Sequence, residues 1–191
     1  MNTPASPLRV QLASALLDLV VHVPESHEAE RHDTALRAHA IARKAARQAS
    51  MVAATLSLPP GWMGWLTVLP EMVSVWKIQA QMVADIAALH GQRSNLGQEQ
   101  MLYCLFKHVS AQLFRDFAVR AGERVVVRSS SLKALEALAV QISGKLLGSA
   151  LKKGASRWIP LAGAVGVGAY AYYDTLQVAK NAQQLFATRP Q

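Results

Sequence analysis

The sequence has a single cysteine, Cys104, in 191 residues. An internal disulfide is therefore impossible, and a cysteine-ligated zinc or iron–sulfur centre is excluded. Charged residues are sparse at 17%, and acidic ones sparser still, with 12 Asp and Glu against 20 Lys and Arg. Strand-forming runs are nearly missing; Arg124–Arg128, with Val125, Val126 and Val127, is the one short β-branched stretch. No uncharged interval makes an unbroken span of the ~20 apolar residues that a transmembrane helix needs. No secretory leader is expected either: residues 1–23 hold one basic side chain, Arg9, Asp18 interrupts their apolar stretch, and no small-residue cleavage pattern follows. The chain is expected to stay in the cytoplasm.

What is present is alanine, leucine and methionine, which favour helix, in a chain that is 51% hydrophobic. That is enough apolar surface for a sizeable core and too much for a disordered chain. The expected fold is all-α, a single helical bundle of about six helices over residues 1–191. The first helix follows Pro4 and Pro7 and runs to about His22, with Leu8, Leu12, Ala15, Leu16 and Leu19 on one stripe. Pro24 stops it. The second is expected from about Glu28 to Leu58, with Glu28, Glu30 and Asp33 in an acidic first turn that suits the helix dipole. Its middle is basic (Arg37, Arg43, Lys44 and Arg47), and Pro59-Pro60-Gly61 ends it. The third is expected from near Pro70 to His90-Gly91. The fourth opens at Asn95, with Gln98 placed as in a capping box, and runs to Arg120. A fifth follows Ser129-Ser130-Ser131 and ends near Gly148 or Gly154; a sixth runs from Pro160 to about Phe186.

Charge is unevenly distributed. Residues 101–160 carry ten basic side chains against Asp116, Glu123 and Glu136, and so hold seven of the eight net positive charges. Such a local field favours a polyanionic partner. Two intervals carry no charge: 23 residues between Arg47 and Glu71, and 16 between Arg157 and Asp174. Pro59 and Pro60 split the first into arms of roughly 15 Å each as helix, about half the ~30 Å hydrocarbon thickness. These intervals fit either a buried hairpin in a bundle or shallow, re-entrant membrane contact. Trp62 and Trp65 flank the first hairpin, and Lys145, Lys152, Lys153 and Arg157 lead directly into Trp158 and the second interval. Basic residues, an interfacial-type Trp and an uncharged segment in that order suit an anionic membrane face. An exposed basic loop beside a core helix explains the same pattern without a membrane.

Candidate chemistry is thin. Glu71, Ser74, Gln81 and Asp85 share a stripe of the third helix, but Glu71 and Asp85 stand about 21 Å apart along it. Two carboxylates acting on one bond need about 5–10 Å, so the stripe reads as a solvated face. Glu28 and His32 are spaced i,i+4 and would supply two metal ligands; His39 is too far along the helix to join them, and no metal or other cofactor is expected. Cys104 and His108 are also i,i+4, yet lie in an apolar helix where a free cysteine is usually inert packing. Gly163, Gly166 and Gly168 lack the spacing and the preceding strand of a dinucleotide fingerprint. Nucleic acid is not an expected partner, because no aromatic residues interleave with the cations of the second helix. That helix is expected to pack within the bundle with its charges in water.

Two stretches carry a family likeness. Leu69-Pro70-Glu71 through Ile78, Asp85-Ile86-Ala87 and His90-Gly91 resemble the "LP … R-x-I-A-x-I-A-x-x-G" helix of the EcsC-like family, and residues 158–166 (WIPLAGAVG) resemble its "IP-x-x-G-A-x-x-G". The likeness spans about residues 40–186. Lys77 or Gln79 stands near the family's usual Arg, and Tyr172 or Asp174 near a frequent Asn. The resemblance implies a mostly helical bacterial protein without established catalytic residues, in a family named for an accessory protein of an ABC transporter. The expected function is thus non-enzymatic: membrane-associated assistance of transport, secretion or envelope processes, peripheral to the inner membrane. Its partners would be an anionic membrane surface and a transporter or secretion-system protein. The alternative is a soluble module that binds a hydrophobic ligand or docks a protein.

Overall fold

The computed structural model describes residues 7–30, 33–56, 64–109, 132–153 and 160–187. They form six α-helices and no strand: α1 Pro7–Val21, α2 Thr34–Leu56, α3 Gly64–Leu89, α4 Gln98–Phe106, α5 Leu132–Lys153 and α6 Pro160–Ala187. The all-α expectation is thereby met. α2 packs most extensively on α6 and next on α3; α1 lies on α5 and also touches α3 and α4. The valine run 124–128 lies outside the described residues.

One core joins all six helices. It takes Leu12, Leu16 and Val20 from α1, Ile41 from α2, Met82 and Ile86 from α3, Met101 and Leu105 from α4, Ile142 from α5 and Val178 from α6. Spacings of three and four residues put each helix's apolar stripe on one side. Trp76 of α3 meets Phe106 of α4 edge to face, with ring centroids 5.5 Å apart. Arg9 of α1 donates Nε–H to the Val140 carbonyl of α5 at 3.2 Å, tying the first helix to the fifth.

Where α2 and α6 meet, the side chains are small: Ala49, Ala53 and Ala171 are buried there beside Val75 of α3. Gly168 allows the close approach. A Cβ added to it would lie 3.1 Å from the Ser50 carbonyl oxygen and 3.2 Å from the Ala54 Cβ. Gly168→Leu should therefore force the two helices apart and lower stability by about 2–3 kcal/mol, read as a shifted urea midpoint; an unchanged midpoint would show that the seam yields freely.

Three helix starts differ from the sequence expectation. α2 starts at Thr34, not near Glu28, and Glu28 serves longer-range contacts instead of a helix turn. Glu28 forms a bidentate ion pair with Arg37, which holds the guanidinium above its usual pKa, first through the hydrogen bond and then through charge. The Glu28 carbonyl accepts from Arg93 and the Glu25 carbonyl from Gln81, so residues 22–30 are strapped to α3 and the turn after it. α3 starts at Gly64 and contains Pro70; the proline deletes one backbone N–H donor without breaking the helix. Its other end is as expected: Gly91 takes φ +70°, Gln92 N–H bonds the Ala87 carbonyl at 2.8 Å, and Gly91 N–H bonds that of Ala88 at 2.9 Å. Finally, Asn95 belongs to a short 3-10 turn, and the cap of α4 is Gly97, whose N–H donates to Gln100 Oε1 at 3.1 Å. α4 itself closes at Phe106, and the expected continuation to Arg120 lies outside the described residues beyond Val109.

Candidate functional site

Polar side chains inside an apolar bundle need partners, and among the described residues the largest such group sits where α3, α4 and α6 converge. Gln79 of α3 is only 1% exposed. Its Nε2 donates to Asp174 Oδ2 at 2.8 Å and to Thr175 Oγ1 at 3.1 Å, both on α6. The Thr175 hydroxyl donates to the Ala171 carbonyl one turn back at 2.7 Å. The other oxygen of Asp174, Oδ1, lies 2.7 Å from His108 Nε2, in the turn that follows α4. Both carboxylate oxygens are thus engaged, and the two side chains keep only 21% and 16% of their surface in solvent.

The same side of α6 holds α4 at two further points. Asn181, seven residues after Asp174, donates Nδ2 to the Cys104 carbonyl at 3.1 Å. That carbonyl is one of the last four of α4, which an α-helix cannot satisfy internally. Lys107 reaches Gln184 at 3.4 Å and lies over the Tyr103 ring, 5.0 Å from its centroid. Asp174, Asn181 and Gln184 therefore form a polar seam clasping a nine-residue helix that is too short to be stable alone. One turn before Asp174, burial and then the nearby carboxylate push the Tyr170 phenol above its ordinary pKa.

The geometry answers the sequence candidates one by one. Cys104 is buried, and desolvation pushes its thiol up to about 12, with Lys107 pulling weakly the other way. His108 turns Nε2 to Asp174, not to its i,i+4 neighbour Cys104. On the polar stripe of α3, Gln81 bonds Asp85 at 3.0 Å and the Ser74 hydroxyl bonds the Pro70 carbonyl at 2.7 Å, local links of a solvated face. Glu28 is committed to Arg37, and among the described residues no three His, Cys, Asp or Glu side chains gather as metal ligands. An open cleft of about 320 Å³ lies between Val23–Ser26, Ala84, Arg93 and Leu96, away from the clasp.

The basic candidates fall into two places. Lys145 is exposed on α5, and Lys152 and Lys153 are that helix's last two residues. Arg157 and Trp158 lie between α5 and α6, outside the described residues, as do Pro59, Pro60 and Trp62 between α2 and α3; Trp65 is in the first turn of α3 with its side chain not described. The second place is α2, where Arg43, Lys44 and Arg47 are exposed as expected.

Sequence reasoning missed the clasp. Gln79 entered only beside a departure from a family pattern, and Asp174 only there and as the end of an uncharged interval; the structure makes them each other's partner. The available signal was the spacing of Asp174, Asn181 and Gln184, seven and three residues apart on one side of an apolar helix. Asp174→Ala should lower stability by about 2 kcal/mol, since it strips His108 of its partner and Gln79 of one of two acceptors. Asp174→Asn, which retains a carbonyl oxygen, should cost less; equal urea midpoints for the two variants would show that the clasp is not what holds α4.

Against protein-family models, curated proteins and solved structures, the chain gives no significant match.

Proposed function

We propose that this chain is a non-enzymatic helical protein that works on an anionic membrane surface, peripheral to the cytoplasmic face of the inner membrane. The observation that carries the reading is the gathering of positive charge: residues 101–160 hold ten basic and three acidic side chains, the last of them, Arg157, directly before Trp158 and an uncharged stretch. The fold supports it in one respect, since Lys152 and Lys153 close α5 and the segment with Arg157 and Trp158 connects that end to α6. Cations at a helix C-terminus are also favoured by the helix dipole. No helix among the described residues is long and apolar enough to cross a membrane, so the proposed attachment is interfacial. The paired polar side chains of the clasp support a positioning role more than catalysis, and the buried thiol is a poor nucleophile.

The EcsC-like resemblance rests on its two motifs, and with it the proposed accessory role beside a transporter or secretion system. Flotation of the purified chain with vesicles tests the reading. Binding to vesicles containing phosphatidylserine, fading as salt rises and absent with phosphatidylcholine alone, is the expected result. A chain that stays at the bottom of the gradient at low salt sinks the proposal and moves the search to a hydrophobic ligand, sought by extraction and mass spectrometry.

A further inference from the structure

The outer face of α2 has a composition that bundle packing does not explain. Its buried side is all small or aliphatic: Ala38, Ile41, Ala42, Ala45, Ala46, Ala49 and Ala53. Opposite, Leu36, Ala40, Arg43, Lys44, Arg47 and Met51 fall within a sector of about 100° at 3.6 residues per turn, and all six are exposed. Leu36 is 75% and Met51 69% exposed, the most of any described large apolar side chain on this helix. They stand about 22 Å apart along the axis, one at each end of the row of cations. From Thr34 to Leu56 the helix contains no acidic residue, and the one paired cation, Arg37, is matched by Glu28. Among the described residues, Arg43, Lys44 and Arg47 make no ion pair.

We infer that this face of α2 is a second contact with an anionic lipid bilayer, resting on the membrane reading above. The chemistry distinguishes a bilayer from a nucleic acid. Three cations in a row suit either polyanion, but Leu36 and Met51 gain only where an apolar layer lies just beneath the phosphates. The face carries no Phe, Tyr or Trp for stacking a base, and His39 and Gln48 stand only at its two edges. Long Arg and Lys stems lie along the glycerol level with their heads at the phosphates, while Leu36 and Met51 dip between acyl chains. Ala40 between them lets the helix lie close to the surface.

The test uses the full chain and vesicles with and without phosphatidylserine. Reversing Arg43, Lys44 and Arg47 to Glu should weaken binding by about a hundredfold or more, with circular dichroism unchanged because all three side chains point to water. Leu36→Ser with Met51→Ser should remove the part of binding that survives high salt. A polarity-sensitive dye on Met51→Cys should shift to the blue on anionic vesicles; Cys104 is buried and stays unlabelled. Wild-type binding with no effect of either α2 variant, and no dye shift, overturns this inference and leaves the membrane reading standing. Failure of the wild type to bind overturns both. Retarded migration of duplex DNA that the α2 reversal abolishes, without vesicle binding, would assign the face to nucleic acid instead.

Discussion

In native buffer at pH 8, a thiol-specific reagent should leave Cys104 unmodified, and modification should appear only as the chain unfolds. The thiolate is the reacting species, and burial raises the Cys104 pKa from 9.0 to about 12. Three pH units correspond to about a thousandfold smaller thiolate fraction at pH 8, before the steric barrier of a fully covered sulfur is counted. Modification against urea concentration should therefore trace the same transition as circular dichroism. Native labelling at the rate of a free thiol would mean that α4 opens on its own, so that the Asn181 and Asp174 contacts do not hold it. The sign at alkaline pH follows from the same shift. A thiol whose pKa is higher in the folded than in the unfolded chain favours folding fully below about pH 9 and loses that contribution as pH rises towards about 12. Tyr170 is shifted the same way. Cys104→Ala should flatten the alkaline loss of stability, whose slope from one proton is at most about 1.4 kcal/mol per pH unit.

The helices were legible because their causes are local. Leu12, Leu16 and Leu19 repeat at helical spacing, and His90-Gly91 supplies the left-handed residue that ends α3. The start of α2 was not legible, because Glu28 has two competing uses. Near a helix N-terminus it gains a modest dipole term; in the fold it gains a bidentate partner in Arg37 and presents its carbonyl to Arg93, which is 65 residues away. The start of α3 was missed for the opposite reason. Pro70 reads as a boundary from local rules, yet it stands inside the helix, where it removes one backbone donor and the helix continues through it. The clasp depended on pairs 66 and 95 residues apart, His108 with Asp174 and Gln79 with Asp174. A single sequence shows that each of these side chains is polar, not which of the others it will meet. Charge was legible as a total and as a cluster, whereas the unpaired outer face of α2 became visible only once Arg37 had taken Glu28 away from it.

Reversing Lys152 and Lys153 to Glu should weaken binding to anionic vesicles by two or more powers of ten. Each Lys or Arg near such a surface is worth about 1 kcal/mol, so removing two attractions and adding two repulsions exceeds the ~2.7 kcal/mol that a hundredfold change requires. The effect should decay over a Debye length of about 8 Å in physiological salt, so wild type and variant should converge as salt rises. Both lysines close α5, and glutamates there oppose the helix dipole at about 0.3–1 kcal/mol each. Lys152→Gln with Lys153→Gln removes the attraction without that conflict, and should lose binding by roughly half as many powers of ten. A control of equal charge change separates a site from a diffuse field. Lys77 on α3 and Lys180 on α6 are exposed elsewhere on the bundle, and reversing both should leave binding within a few-fold of wild type. Equal losses from the two pairs would show that net charge alone draws the chain to lipid. No loss from Lys152 and Lys153, with helicity intact, would remove the α5–α6 junction from the membrane face and leave α2 as the surface to pursue.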